Sequence, residues 1–190
     1  MVINVAKVLL CTVKLKLGSG LKMENDSKVR FPTYDDSLAR MMIMVNNETL
    51  EEGIQHYLGV RLDKFEPGKL WASMKIRDEL VTAVGTIHGG VMAAFVDHVL
   101  GCVMYPLMKR GQWAATTEFK INYLAPVKSG LLRGKSTVVS LTKRTAVVRM
   151  DVYNEDNGDS RLVCVAQGTL LVSDPPVKKN KPAQRPFAKL

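Results

Sequence analysis

One stretch in the middle of the chain is apolar on nearly every side, with Asp97 and His98 as its polar interruptions. A long segment that is apolar all round is typical of a buried helix. Gly89 and Gly90 stand where this helix would begin. Pro106 marks its expected end, because the residue before a proline avoids the helical region. The pattern leaves two features to explain, the glycines at the start and the carboxylate in the middle.

Two short helices are predicted before that stretch, because apolar residues recur there at helical spacing. The first covers residues 35–45, where Asp35-Asp36 places negative charge at its start, and Asn46-Asn47 is expected to break it. The second opens at Thr49 and ends at Gly59, a residue type that suits the end of a helix.

Apolar and polar residues alternate on both sides of the central helix, a pattern typical of half-buried strands. Two strands precede the helix and meet at the turn Glu66-Pro67-Gly68. The polar run from Asn154 to Ser160, with Asn157-Gly158 inside it, is interpreted as the turn of the last hairpin. Four strands follow the helix, over residues 113–123, 131–142, 145–153 and 161–173.

This order of elements predicts an α+β fold in which a curved antiparallel sheet of about six strands wraps one long central helix. Short helices precede the sheet at its N-terminal side. A single sheet covers only one side of a helix that is apolar all round. The uncovered side therefore predicts a second copy of the chain, paired by symmetry.

The charge of the chain belongs to its two ends. Residues 1–30 hold six Lys and Arg against two acidic residues, and residues 174–190 hold five against one, which accounts for most of the net +9. A near-neutral middle does not favour nucleic acid as a partner. We predict an N-terminal extension of uncertain order over residues 1–34, one domain over 35–173, and a basic, disordered tail after it. Whether Met23 is the natural start stays open.

Composition argues against several other classes of protein. No apolar run reaches the roughly 20 residues that span a bilayer, so no membrane partner is predicted. Cys11, Cys102 and Cys164 are odd in number and far apart, which favours a reducing cytoplasm. No grouping of His, Cys and Asp has the spacing of metal ligands, and we predict neither a metal nor a cofactor.

The order of elements, with Gly-Thr-Ile-His-Gly-Gly at residues 85–90 and Phe-Val-Asp at residues 95–97, resembles the hotdog-fold acyl-CoA thioesterases. It is most similar to their phenylacetate-pathway and thioesterase-superfamily-member type, over residues 48–173. The resemblance implies hydrolysis of an acyl- or aryl-CoA to free acid and CoA. It also implies a homodimer with joined sheets and shared active sites, often paired again into a tetramer.

The first turn of the helix suits the polarisation of a thioester carbonyl. The backbone N–H groups of Gly89 and Gly90 are expected to be unpaired donors at the positive end of the helix dipole. A donor aimed at a developing oxyanion lowers a barrier by roughly 3–4 kcal/mol. The resemblance assigns this role to the Gly89 N–H. The spacing alone equally allows that both glycines only permit close packing of helix on sheet.

Asp97 is the candidate for supplying the nucleophile, since a lone carboxylate on an apolar helix is costly unless it is paired or used. The resemblance makes it either a general base that activates water or a nucleophile that forms a mixed anhydride, and the sequence leaves both open. Eight residues of helix separate it from Gly89, about 12 Å along the axis. The site is therefore predicted to combine Gly89 of one subunit with Asp97 of the other.

Four further residues are candidates from their positions around the motif. Thr116 matches a family position near the attacking water. Thr82 matches an Asn or Gln that orients water or substrate, but threonine lacks the amide. His88 is expected to order the loop before the helix, with direct catalysis as the alternative. His98 is expected to pack rather than to act as a ligand.

The acyl group is expected beside the helix. Met92, Phe95 and Val96 would line the pocket together with strand residues, and Gly90 would lie against the substrate. Such a lining suits aromatic and medium aliphatic acyl groups alike, so the sequence does not select one.

The phosphates of coenzyme A require cations. The turn at Lys143 and Arg144, with Arg133 and Lys135 on the preceding strand, offers a candidate set. The alternative is a solvated basic turn with no ligand.

Two other functions fit parts of the pattern. A non-catalytic hotdog module that binds acyl-CoA, as in lipid-sensing regulators, would not need Asp97 and would add a DNA-reading helix-turn-helix. Residues 1–47 offer at most one good helix. A hotdog dehydratase is a weaker alternative, because that type carries its catalytic His in a different context, without His-Gly-Gly.

Overall fold

The computed structural model describes residues 31, 33–49 and 51–174. Most of the predicted N-terminal extension, the question of Met23, and nearly all of the basic tail lie outside the described residues. The three segment boundaries therefore stay predictions.

Short helices, six strands and one long helix follow each other in the predicted order. The helices are α1 (Asp36–Met44), α2 (Ile54–Leu58) and α3 (Gly89–Cys102). The strands are β1 (Val60–Glu66), β2 (Lys69–Lys75), β3 (Trp113–Tyr123), β4 (Leu131–Leu141), β5 (Thr145–Asp156) and β6 (Asp159–Ser173).

The strands form one antiparallel sheet in the order β1-β2-β4-β5-β6-β3, and α3 packs against every strand from β2 to β6. The helix therefore lies inside the curve of the sheet, and the predicted α+β architecture is confirmed. Phe95 is fully buried at its centre. Gly134 on β4 makes this approach possible, because a Cβ there would collide with Met150 Cε and lie 3.0 Å from the Phe95 ring.

The first helix does not break at Asn46-Asn47 as predicted. It continues as a π-helical turn (Val45–Thr49), and both amides bond to the backbone of β1. Asn46 Nδ2 donates to the Val60 carbonyl at 2.8 Å. Asn47 accepts from the Leu62 N–H and donates to its carbonyl, both at 2.9 Å. These bonds stabilise the π-helical turn, and they cover the outer edge of β1.

The central helix is shorter than predicted. It ends at Cys102, and a 3₁₀ turn (Tyr105–Leu107) contains Pro106 near its start, where a missing N–H does no harm. By length and composition, Gly89–Leu107 is the one candidate membrane span of the described chain. With 56% of it buried inside the fold, it serves as the core helix.

A β-bulge in β3 changes which of its side chains face the helix. The register shifts between Thr116 and Glu118, so Thr117 is the extra residue. Ala114 and Thr116 are half-buried before the bulge, and Phe119 is half-buried after it. An unbroken alternation along residues 113–123, the pattern that the sequence predicts, would put Thr117 and Phe119 on the same face, and the bulge makes that prediction wrong for the residues before it.

The last hairpin is tighter than predicted. Strands β5 and β6 continue to Asp156 and from Asp159, leaving a two-residue turn at Asn157 and Gly158 with φ of 51° and 88°. Positive φ at both central positions is the turn that matches the twist of paired strands. Asn154, assigned to the loop from its polarity, is instead buried in β5 and donates to the Ser129 carbonyl at 2.9 Å.

Candidate active site

The start of α3 is capped by one histidine side chain. His88 Nδ1 accepts from the Gly90 N–H at 2.9 Å, and the His88 carbonyl accepts from Val91 and Met92. The Gly90 donor, expected to be free, is therefore occupied. Within the described residues the Gly89 N–H has no partner, so the helix end presents one open donor. The contact supports the ordering role predicted for His88.

Packing within the chain does not explain why residue 89 is a glycine. A Cβ there would lie 3.5 Å from the Tyr123 side chain, an ordinary van der Waals distance. The Tyr123 hydroxyl donates to the Gly89 carbonyl at 2.9 Å, so β3 approaches the helix start through a side chain. Close packing of helix on sheet, the alternative role for this glycine, is therefore not supported. At Gly90 a Cβ would lie 3.0 Å from His88 Nδ1, which is tight.

Thr82 lies in the loop just before α3. Its N–H donates to the Thr86 carbonyl at 2.7 Å, and its own carbonyl accepts from the Gly85 N–H at 2.8 Å. Gly85 has a φ of 77°, which favours glycine in this tight loop. The two threonine hydroxyls are 3.5 Å apart. Thr82 thus lies near the Gly89 end of the helix.

Asp97 lies two turns further on and faces a different space. The Asp97 cavity has a volume of about 430 Å³, and Thr116 lines it together with Asp97. The remaining candidates at the helix start, His88, Gly89 and Thr82 among them, do not line it. One carboxylate oxygen, Asp97 Oδ1, is buried and has no hydrogen-bond partner within the described residues.

His98 borders the same cavity in a fixed orientation. Asn46 Nδ2 is engaged with β1, so Asn46 Oδ1 accepts from His98 Nε2 at 3.0 Å. Burial lowers the pKa of His98, and the charge of Asp97 opposes that shift. A neutral imidazole next to Asp97 leaves the carboxylate without a cationic partner from this side chain. The structure thus agrees with a packing role for His98.

Cys102 also lines the cavity but is unsuited to act as a nucleophile. Burial raises the pKa of its thiol to about 12, so the reactive thiolate is not populated near neutral pH. Its Sγ is 3.5 Å from His98 Nε2. Among the described residues no group of three or more His, Cys, Asp or Glu could hold a metal ion. The chemistry of the cavity therefore centres on the carboxylate.

Comparison with known proteins places this geometry in a family. A family model described as the thioesterase superfamily matches residues 84–160, which include Gly89, Asp97 and Thr116. A candidate esterase of Saccharolobus solfataricus is 31% identical to this chain over 128 residues, which are 67% of this chain and 83% of that relative. The chain belongs to the thioesterase superfamily. It is accordingly an enzyme, a thioester hydrolase.

Other members support the assignment. Acyl-coenzyme A thioesterase 13 of Homo sapiens is 29% identical over 122 residues, 63% of this chain and 84% of that protein. The solved thioesterase of Haemophilus influenzae superposes with a TM-score of 0.66 at 20% identity, over 78% of this chain and 99% of that one. The predicted hotdog fold is thereby confirmed.

The wall of the Asp97 cavity differs from the prediction for this thioesterase. Met92, Phe95 and Val96 were expected to line the acyl pocket, but all three are buried in the core and none borders the cavity. The wall comes instead from the N-terminal helical segment, with Met42, Val45, Asn46 and Gln55. These residues precede the part of the chain that the family model matches. The amphipathic spacing of α1 was the available signal.

The basic residues predicted for coenzyme A do not form one group. Arg133 pairs with Asp63 at 3.3 Å and Glu155 at 3.0 Å. Lys135 lies over the Trp71 ring, 5.6 Å from its centroid.

Lys143 and Arg144 form an exposed turn at the far end of β4. The four predicted cations do not form one group, because six to eight strand residues, about 20–26 Å at 3.3 Å each, separate Lys135 and Arg133 from the end of β4 where the turn begins.

Proposed function

We propose that this thioesterase hydrolyses an acyl- or aryl-CoA to the free acid and CoA, with Asp97 acting on the thioester carbon. The observation that carries the proposal is the buried Asp97 Oδ1 with no hydrogen-bond partner among the described residues. A buried acceptor left unpaired costs about 1–3 kcal/mol, and more when charged. Such an oxygen is free to take a proton or to attack. The substrate class follows relatives such as the human acyl-coenzyme A thioesterase.

Two routes use the carboxylate, and both remain open. As a general base, Asp97 accepts a proton from water while the water oxygen bonds to the carbonyl carbon, after which CoA leaves as its thiol. As a nucleophile, Asp97 bonds to that carbon and displaces CoA, and water then cleaves the mixed anhydride. Thr116, in the same cavity, supplies a hydroxyl that would orient the water.

The open N–H of Gly89 would bind the developing oxyanion. Its freedom from partners and the ordinary distance of a Cβ from Tyr123 both support close approach by a ligand rather than by the sheet. Eight residues separate Gly89 from Asp97, about 12 Å along the helix. One thioester carbon cannot be reached by both groups of one chain, so the second group would come from a partner subunit.

Strand β3 supports a homodimer with shared sites. It is an edge strand of the sheet, and within the described chain its outer side has no partner strand. Its Tyr123 end contacts Gly89, and its Thr116 end lines the Asp97 cavity. Antiparallel pairing of two β3 strands about a two-fold axis would place one end beside the other in each site. A pair of such dimers would be a tetramer.

The turn at Lys143 and Arg144 would hold the phosphates of CoA. The register of the strands supports a place near the Asp97 cavity for these two cations, and not for the other two that were predicted. Thr145, which follows the turn, pairs with Leu171 of β6, and Leu171 pairs with Ala115 of β3. The turn thus lies at the Thr116 end of the sheet. A cytoplasmic location also stays a proposal, favoured by the free, buried Cys102 and Cys164.

Release of CoA from a panel of acyl-CoAs tests the assignment. Asp97→Asn keeps the shape of the side chain, removes its basicity, and is expected to lower kcat about a hundredfold or more with unchanged melting temperature. Asp159→Asn, at an exposed hairpin position, is the matched control and should retain wild-type turnover. Wild-type turnover by Asp97→Asn would contradict the catalytic role. Absence of CoA release from phenylacetyl-, hydroxybenzoyl-, short- and long-chain substrates would contradict the substrate class.

A further inference from the structure

The Asp97 cavity ends against a wall that it shares with a second cavity. This second cavity, the Met41 groove, has a volume of about 290 Å³. Leu38, Met41, Met42 and Tyr105 line its apolar side, and residues 109–112 form its rim. Met42 and Tyr105 line both cavities. Met42 and Tyr105 therefore lie at the boundary between the two cavities.

The two sides of the groove are fastened to each other. Helix α1 forms one side, and its N-cap Asp35 donates its N–H to the Pro106 carbonyl at 2.8 Å. The Asp35 carboxylate accepts from the Leu38 N–H at 3.0 Å and faces Arg110 at 3.5 Å. Arg110 also donates to Ser37 Oγ at 3.1 Å. This network braces one end of the groove, and Arg110, one of the two cations on its rim, is already engaged by this chain.

The lining of the groove matches an uncharged hydrocarbon chain. Its floor consists of Leu, Met and Tyr side chains, and Met41 is 46% exposed to solvent. An exposed apolar floor that adjoins the reaction cavity gains stability when an apolar chain covers it. Met42 is unbranched with three rotatable bonds, so it can swing aside without moving the helix.

We propose that the Met41 groove is the distal subsite for long acyl chains, and that Met42 and Tyr105 set how far the chain extends from Asp97. This inference rests on the proposed function, because Asp97 places the thioester at the other end of the path. Each methylene that enters the groove is buried, which strengthens binding about fourfold (about 0.8 kcal/mol). Two or three methylenes in the groove therefore change the preference between chain lengths by more than tenfold.

The test compares kcat/KM for acetyl-, hexanoyl-, decanoyl- and palmitoyl-CoA. Met41→Glu places a carboxylate in the groove floor and should lower the ratio of palmitoyl to hexanoyl turnover at least tenfold. Met44→Glu is the matched control, because Met44 is 50% exposed on the same helix and lines neither cavity. It should leave the ratio unchanged. Met42→Ala shortens the shared wall and should change the ratio in the opposite direction, raising it.

The outcomes separate this inference from the proposed function. If wild type hydrolyses the panel and Met41→Glu lowers all substrates equally, the groove is not an acyl subsite although the enzyme remains an acyl-CoA thioesterase. A change in oligomeric state of Met41→Glu by size-exclusion chromatography would assign the groove to a second copy and overturn the inference. If wild type hydrolyses no acyl-CoA, the proposed function fails, and the distal subsite fails with it.

Discussion

The two ends of the Gly89–Asp97 stretch of α3 each have one hydrogen-bonding group without a partner among the described residues, a donor at one end and an acceptor at the other. At the first turn, the Gly89 N–H is a donor without an acceptor among the described residues, since His88 has taken its neighbour Gly90. Two turns later, Asp97 Oδ1 is an acceptor that no donor reaches within the part of the chain that the structure describes. The first N–H groups of a helix have no partner inside it, and a buried carboxylate oxygen normally has one, so both positions are open to a group from outside the chain.

The ends also differ in what surrounds them. The Gly89 end is formed by the loop that precedes α3, with the exposed His88, and by the exposed ring of Tyr123 from β3. The Asp97 end is enclosed by residues far away in sequence, among them Asn46 and Met42. The first end offers a backbone donor that an oxyanion can reach, while the second has a wall that keeps its carboxylate out of bulk solvent. In the proposed function the two ends would therefore contribute in different ways, one with an exposed donor and the other with an enclosed carboxylate.

The largest effect is expected from Gly89→Pro, which removes the open donor at the Gly89 end of the helix. The first helical position tolerates proline, and His88 has φ of −66° and ψ of 134°, values that suit the residue before a proline. The substitution therefore removes the N–H and adds a ring without requiring a change of backbone conformation. We expect kcat to fall about 10²–10³-fold, the usual effect of losing one oxyanion donor, with the melting temperature kept.

Gly89→Ala is the control, because it keeps the N–H and adds a Cβ at an ordinary 3.5 Å from Tyr123. Its loss of kcat should be clearly smaller than that of Gly89→Pro. Equal losses in both variants would mean that space at residue 89 matters and that the donor does not.

Mixing two inactive variants tests whether the Gly89 end of one subunit and the Asp97 end of the other form one site. A hybrid dimer of Gly89→Pro and Asp97→Asn subunits contains one site with both groups intact. Random exchange makes about half of the dimers hybrid, so activity should recover to about a quarter of wild type. Gly89→Pro mixed with itself and refolded identically is the control. Recovery no higher than that control would place both groups in one chain and contradict the shared site.

Sequence reasoning was most successful for the fold. The central helix and its glycine start followed from local pattern, and the structure places Thr116, a candidate from the family resemblance, on the wall of the cavity that Asp97 also lines. The role of each residue in catalysis stays a prediction until the variants are measured. The fold followed because its alternating and all-apolar segments differ in period.

Sequence reasoning failed where the answer depended on which face of an element meets which neighbour. A helix that is apolar all round does not reveal that Phe95 faces the core while Asp97 faces a cavity. The bulge at Thr117 reverses the alternation of β3 without a glycine to signal it. The Asn46-Asn47 pair, interpreted as a helix breaker, instead bonds to β1, a contact between segments that no local pattern contains.

Asn46→Ala probes the enclosed end with a smaller, structural effect. The substitution leaves the Val60 carbonyl and His98 Nε2 without their partner, and Asn46 is only 7% exposed. Unpaired buried groups cost about 1–3 kcal/mol, so the free energy of unfolding in urea should fall by that amount at fixed protein concentration. Tyr123→Phe removes one exposed hydrogen bond at the Gly89 end and should cost no more than about 1 kcal/mol.

Gln167→Ala, an exposed position on β6, controls for the loss of an amide and should leave stability unchanged. If Asn46→Ala is no more destabilising than Tyr123→Phe, the N-terminal segment is not fastened to the Asp97 end by this network. The cavity wall would then be free to move away from Asp97. The shielding of Asp97 from bulk solvent, on which the difference between the two ends depends, would need another origin, such as the partner subunit across β3.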